Sequence, residues 1–256
     1  MNLDLKLACA LVTAHLLADF VFQSDQDVAN ERKTAVLAKR ALLAAGLSYL
    51  LVGDGRAWFV PVVIGLAHAL MARIKISWKH NGTGLFLADQ VAHLSVIMGA
   101  AWLSPKFCPV ASLWLNLWGV AFLKILGMAS GLILTTHVGG VLVGIWVQPY
   151  LGDMTKQKPE GGKPILAAGN ESQRGLAKGG RSIVRWERGL IFFLVMIGKP
   201  EAVAFLVAAK SIFRFGELNN RENRAEAEYI TIGTLMSFTW GLVVSWLTWR
   251  GLSLMP

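Results

Sequence analysis

The chain has 256 residues, of which 54% are hydrophobic and 16% charged. Soluble domains carry about 25% charged residues, so the composition excludes an ordinary soluble protein. A net charge of +9 would point a soluble chain toward nucleic acid, but no such motif is present. In a membrane protein the same excess collects in loops facing anionic lipid. The ten tryptophans fit an interfacial aromatic belt, and no period-two alternation is long enough for a barrel. The expected fold is all-α: a polytopic helical membrane protein of the bacterial inner membrane, with about six transmembrane helices plus a helical hairpin.

Taken in order, a first apolar stretch covers 5–23. It lacks a strongly basic start and a small-residue cleavage site, and it contains His15 and Asp19, so it reads as a mature helix rather than a signal peptide. A charged amphipathic segment with Arg32, Lys33, Lys39 and Arg40 leads to a short second span at 41–52, which Leu37 and Ala38 can extend. Asp54, Gly55 and Arg56 form a tight turn before a third span at 58–76. A basic loop (Arg73, Lys75, Lys79, His80) and the breakers Gly82 and Gly84 precede a fourth span at 85–103.

The stretch 113–151 is long for one helix and short for two. Lys and Arg concentrate in 24–40, 73–83 and 152–188. The positive-inside rule puts all three on the cytoplasmic side, which requires an odd number of crossings in 113–151, read as one long helix. Residues 152–180 read as a flexible basic loop. Two short apolar arms around Lys199-Pro200 read as a hairpin dipping in from the cytoplasmic side or lying in the interface. The last span covers 229–249. The expected organisation is an N-terminal bundle over 1–151, the loop 152–180, and a C-terminal hairpin plus last span over 181–256.

Ionisable groups inside spans mark functional sites by default. Here they are His15 and Asp19, His68, and Asp89 and His93. Each Asp–His pair is four residues apart and so shares a helix face. The topology puts all five roughly 7–14 Å below the cytoplasmic boundary at ~1.5 Å per residue. Imidazole and carboxylate in a dry pocket suit a divalent metal, Zn²⁺ before Mn²⁺ or Fe. The expected ligands are therefore His15, Asp19, His68, Asp89 and His93, with Asp19 or Asp89, if unligated, as general base. Gln23 and Gln90 are candidate orienting groups. Lys33, Arg73 and Lys75 at the mouth, and Lys210 and Arg214 in the second half, are candidate substrate-binding cations.

The same groups can instead be interhelical hydrogen bonds or a proton relay. The cluster Arg181, Glu187, Arg188, Lys210 and Arg214 reads first as an interfacial charge network. Small residues Gly233, Thr234 and Ser237 suggest close packing. Cys9 and Cys108 lack metal-ligand spacing, and His80 and His137 are not expected as ligands.

HLLADFVFQSD (15–25), HALMARIK (68–75) and FLADQVAH (86–93) resemble the signatures of the bacterial membrane family catalogued as domain of unknown function 3307. RWERGLI (185–191), FLVAAKSIFRFGE (205–217) and AEYITIGTLMSF (227–238) resemble its longer members. The chain departs from the pattern at Arg73, where an acid is expected, so the resemblance implies no carboxylate ligand from this helix. It implies no reaction. The residues themselves point first to a metal-dependent hydrolase of a lipid-like or phosphorylated substrate. An ion- or proton-coupled transporter or channel, and a non-catalytic adaptor or sensor, are the alternatives. Membrane lipid and a small molecule are the expected partners, nucleic acid is not, and the oligomeric state stays open.

Overall fold

The computed structural model describes residues 3–77, 82–107, 111–156, 179–218 and 224–255, all helical or connecting, with no strand among them. Helix α1 (Leu3–Leu16) continues into a π-helical turn, Leu17–Val21. Then come α2 (Asp25–Ala29), α3 (Thr34–Val52), α4 (Phe59–Ser77), α5 (Thr83–Phe107), α6 (Leu113–Trp118), α7 (Val120–Ile133), a second π turn (Leu134–Val138) and α8 (Gly139–Lys156). The described remainder is α9 (Gly179–Met196), α10 (Val203–Leu218) and α11 (Arg224–Ser253).

Five segments among the described residues are long and apolar enough to cross a membrane: Thr34–Val52, Gly55–Ile76, Thr83–Phe107, Val120–Leu151 and Glu228–Ser253. Their outward faces are apolar, with Leu42, Leu66, Leu70, Val91 and Trp102 each more than half exposed. That suits a lipid solvent, and the protein is an α-helical membrane protein. Val120 to Lys156 is continuously helical through its π turn, in keeping with one long helix over this stretch rather than two. The chain divides into two compact units, one of Met1–Leu134 with Arg250–Pro256 and one of Thr135–Trp249. The division falls inside the second π turn, whereas the sequence pattern puts its boundary at 151. Of the basic loop 152–180, residues 157–178 lie outside the described residues.

In the first unit α1 is the innermost helix, packed against α3, α5 and α7. Its buried residues Leu7, Ala8, Leu11 and Ala18 join Ala44, Val52, Val60, Ile64, Ile97 and Ala101 in one core. The alanines matter because lipid supplies no hydrophobic drive between helices, so association rests on close backbone approach. The tightest case is α3 against α4. A Cβ on Gly65 would lie 3.1 Å from Ala45 Cβ and 3.3 Å from the Ala41 carbonyl. Thr13 Oγ1 and Ser130 Oγ, 2.9 Å apart, tie α1 to α7.

Helix α3 starts at Thr34, a full two turns before the predicted span. Its N-terminus is held by α2, whose N-cap Ser24 forms a reciprocal capping box with Asp27. Lys39 Nζ lies 2.8 Å from Asp27 Oδ2. At its other end α3 stops at Gly53 in the left-handed region (φ 62°). That corner docks the chain before α6: Ala111 N donates to Asp54 Oδ2 (2.7 Å), Leu113 N to Gly53 O (2.9 Å) and Trp114 Nε1 to Leu50 O (2.6 Å).

In the second unit Ile191, Val203 and Phe238 form a core with Leu194, Leu206 and Leu242, so the α9–α10 pair packs on α11. Gly198 (φ 74°) turns the chain between the arms at the expected break. Trp240 lies edge-on to Trp146, with centroids 5.9 Å apart, and covers Gly139.

Gly53→Ala is expected to destabilise the first unit by roughly 1–3 kcal/mol, because a Cβ is strained at this φ and would meet Trp114 Cδ1 at 2.5 Å. Thermal melting in detergent checks this, and an unchanged melting temperature would refute the strained-corner account. A second expectation concerns pH. Lys39, then the Ser24 backbone N–H and hydroxyl, hold the Asp27 carboxyl down at about 2, against an ordinary 3.8. A depressed carboxyl stabilises fully above its unfolded value and loses that contribution as it protonates. The α2–α3 tie should therefore weaken between about pH 4 and pH 2 and be insensitive above pH 5. Amide exchange of α2 across that range, compared with Asp27→Asn, measures it.

Candidate metal centre

Three helices of the first unit carry the centre. Helix α1 and its π turn bring His15 and Asp19, α4 brings His68 and α5 brings His93. All four side chains are buried, and one ligand atom from each falls within 4.8 Å of every other. The imidazole centroids are 4.5 Å apart for His68–His93, 4.9 Å for His15–His93 and 5.8 Å for His15–His68. Four of the five groups that the sequence places at one depth thus lie together.

The π turn has a local job. Its wider i→i+5 pattern, seen in Phe22 N donating to Leu17 O at 2.9 Å, sits at Leu17–Val21 around Asp19. Such turns recur at functional sites because the extra residue re-aims a side chain. Asp19 Oδ1 lies 2.8 Å from His68 Nε2, and Asp19 Oδ2 lies 3.8 Å from His15 Nδ1.

The hydrogen bonds around the rings fix which nitrogens stay bare. His93 Nδ1 lies 2.8 Å from the Asp89 carbonyl. A carbonyl only accepts, so Nδ1 carries the proton and Nε2 presents its lone pair. His15 Nε2 lies 3.2 Å from Gln90 Oε1, also an acceptor, which leaves His15 Nδ1 bare. Both bare atoms, His15 Nδ1 and His93 Nε2, are buried without a hydrogen-bond partner. An unsatisfied buried polar atom costs about 1–3 kcal/mol, and here two occur in one cluster. A metal ligand is normally held this way, one nitrogen free and the other oriented by an acceptor.

Asp89 does not join this set. Its Oδ1 is 3.6 Å from His93 Nδ1, behind the ring, and its Oδ2 is 3.4 Å from Lys75 Nζ. Four of the five expected ligands converge, and the fifth braces one of them. Lys75 is therefore an ion-pair partner of Asp89. Lys33 and Arg73 are exposed. Gln90 plays the orienting part expected of it, while Gln23, beyond the π turn, makes no hydrogen bond among the described residues. Lys210 belongs to the second unit and pairs with Glu187. The side chain of Arg214 and all of His80 and Cys108 lie outside the described residues. His137 belongs to the second unit, its Nδ1 2.9 Å from Thr136 Oγ1.

One residue was legible only as a charged loop position. Arg40 reaches Asp19 Oδ1 at 3.7 Å, its side chain 11% exposed and its Nε buried without a partner. Its signal in the sequence was its spacing from Leu37 and Ala44, which puts it on the inward face of α3 once the helix begins at Thr34.

Chemically, three imidazoles and one carboxylate match the ligand types, number and softness of a four-coordinate divalent site. The comparisons bear on the same helices. No curated protein and no solved structure matches the chain. A family model described as a protein of unknown function, DUF3307, matches residues 7–118, which contain the whole cluster together with Arg40, Asp89 and Gln90. Over that segment the chain is similar to the DUF3307 family.

Proposed function

We propose that the cluster binds one divalent transition-metal ion, Zn²⁺ in preference to Mn²⁺ or Fe²⁺, and that the centre hydrolyses an ester of a lipid-like or phosphorylated substrate within the membrane. The observation that carries the reading is the pair of bare, buried nitrogens, His15 Nδ1 and His93 Nε2, converging on the Asp19–His68 pair. Interhelical hydrogen bonding alone would leave no reason for both to stay unpartnered. The spread of up to 4.8 Å would contract by roughly 1.5 Å to suit tetrahedral ligands about 2.0 Å from a zinc ion.

A divalent ion supplies Lewis acidity and a water that ionises near neutral pH. The chain's own residues supply the rest. Gln90 and the Asp89 carbonyl fix the ring tautomers. Asp89, held by Lys75 behind His93, braces that ring from the Nδ1 side. Among the described residues, Arg40 is the one cation at the cluster with an unused buried donor, and its guanidinium is suited to a substrate oxyanion. The general-base role expected of Asp19 or Asp89 passes to whichever carboxylate is not ligating, and Asp89 lies outside the convergent set.

A second reading rests on the same geometry. Three rings with centroids 4.5–5.8 Å apart beside a buried carboxylate also make a relay for protons or a path for cations.

Metal analysis of the purified full chain should give about one equivalent of Zn²⁺, Mn²⁺ or Fe. His93→Ala and His15→Ala should each lose most of it, and Gln90→Ala should weaken affinity ~10–100-fold. A metal-free protein, or one whose content ignores these changes, rules the centre out. For the reaction, phosphate- and carboxylic-ester hydrolysis should stop on chelation. Arg40→Met should lower kcat ~10²–10³-fold while metal content is kept. Cation or proton flux in proteoliposomes that Asp89→Asn abolishes, without chelator-sensitive hydrolysis, would instead select the transport reading.

A further inference from the structure

The second unit holds a buried arginine that the centre in the first unit does not use. Helix α9 turns Arg188, Ile191, Phe192 and Val195 inward. This i, i+3, i+4, i+7 stripe is the core face of an amphipathic helix, and a cation occupies one of its four positions. Arg188 is 3% exposed. Its terminal nitrogens donate to two neutral oxygens, one to Ser237 Oγ at 3.1 Å and the other to the Thr136 carbonyl at 2.8 Å. Its Nε is buried with no partner. No carboxylate among the described residues lies within ion-pair distance of it, since its neighbour Glu187 is engaged by Lys210.

An arginine cannot shed its proton to escape burial. A buried cation with no carboxylate in contact is costly in a membrane bundle, and an anion is one resolution. The surroundings are shaped for one. Thr136 lies in the π turn Leu134–Val138, the kind of irregularity that gathers at functional sites. Gly140 lets the guanidinium pack close against this helix, since a Cβ there would lie 3.0 Å from Nη2. Ser237 is 1% exposed. It accepts from Arg188, so its hydroxyl proton remains to be donated, and no described group takes it. Arg185, one turn earlier on α9, adds positive potential without occupying the site. The unpartnered Nε–H of a planar guanidinium, together with the hydroxyl proton, is the complement of an oxyanion.

We infer that Arg188 and Ser237, with the Thr136 carbonyl holding the guanidinium in place, form a second binding site for one phosphate-type oxyanion, either a free phosphate or the phosphodiester of an anionic lipid. It is independent of the metal centre.

The full chain in a neutral maltoside detergent is titrated with inorganic phosphate against potassium chloride of equal ionic strength, with melting temperature as readout. In parallel, chain released from phosphatidylglycerol or phosphatidylcholine nanodiscs is weighed intact for retained lipid. A saturable phosphate-specific rise in melting temperature assigns the site to the free anion. One retained phosphatidylglycerol, without a phosphate response, assigns it to the lipid. Either response should vanish in Arg188→Met and weaken about tenfold in Ser237→Ala, each lost donor being one charge-assisted or buried hydrogen bond. If Arg188→Met does not fold, Arg188→Lys, which keeps the charge and loses the fork, should weaken it instead. Wild-type protein that shows neither response overturns the inference. So does a response that survives the Arg188 and Ser237 changes, which would then belong to the metal centre.

Discussion

The contact on which the first unit's chemistry depends is the 2.8 Å hydrogen bond between Asp19 and His68. A carboxylate buried among apolar helices is tolerable only if it is paired and hydrogen-bonded. Asp19 meets that demand by drawing His68 from α4, His15 from its own helix and Arg40 from α3 around one point. His93 then completes the group from α5, stacked on His15. The need to neutralise one buried charge thus recruits side chains from four helices and makes α1 the central element. The alanine-rich core around α1 follows from the same requirement, because the polar tips meet only if the backbones approach closely.

The two units show contrasting answers to polar groups in a bilayer. In the first, opposite charges and imidazoles satisfy most of one another, and what remains unsatisfied is a pair of ring lone pairs. In the second, Arg188 is solvated by a carbonyl and a hydroxyl, and what remains is positive charge with free donors. A set of lone pairs attracts a cation, whereas free donors on a cation attract an anion. Each unit places its polar residue beside a π turn, Asp19 in one and Thr136 in the other. A wider turn displaces a side chain or a carbonyl from the regular ladder without breaking the helix, which inside a membrane would leave backbone groups unpaired.

The charge pattern around the metal cluster separates positioning from chemistry. Lys75 and Asp89 form a pair that braces His93 rather than facing the cluster. Gln90 does the same for His15. Arg40 is different, because it shares the Asp19 carboxylate and still keeps a donor unused.

The sequence by itself determined the helical membrane class and marked His15, Asp19, His68, Asp89 and His93 as ionisable groups inside apolar helices, four of which the structure brings together. These are legible because hydropathy runs, the sidedness of Lys and Arg, and the depth of a residue along a helix are properties of each segment alone. The tertiary structure decided what depended on how helices rotate against one another. Rotation put Asp89 behind His93 instead of beside it. It turned Arg40 from a loop charge into a neighbour of Asp19, because α3 begins at Thr34, ahead of the apolar run. It also turned Arg188 from an expected flank of the charge network into a buried residue, because the amphipathic stripe of α9 packs against its neighbours and carries the arginine in with it. Depth is one-dimensional and can be counted off the chain. Facing is set by packing between segments distant in sequence, and no local pattern encodes it.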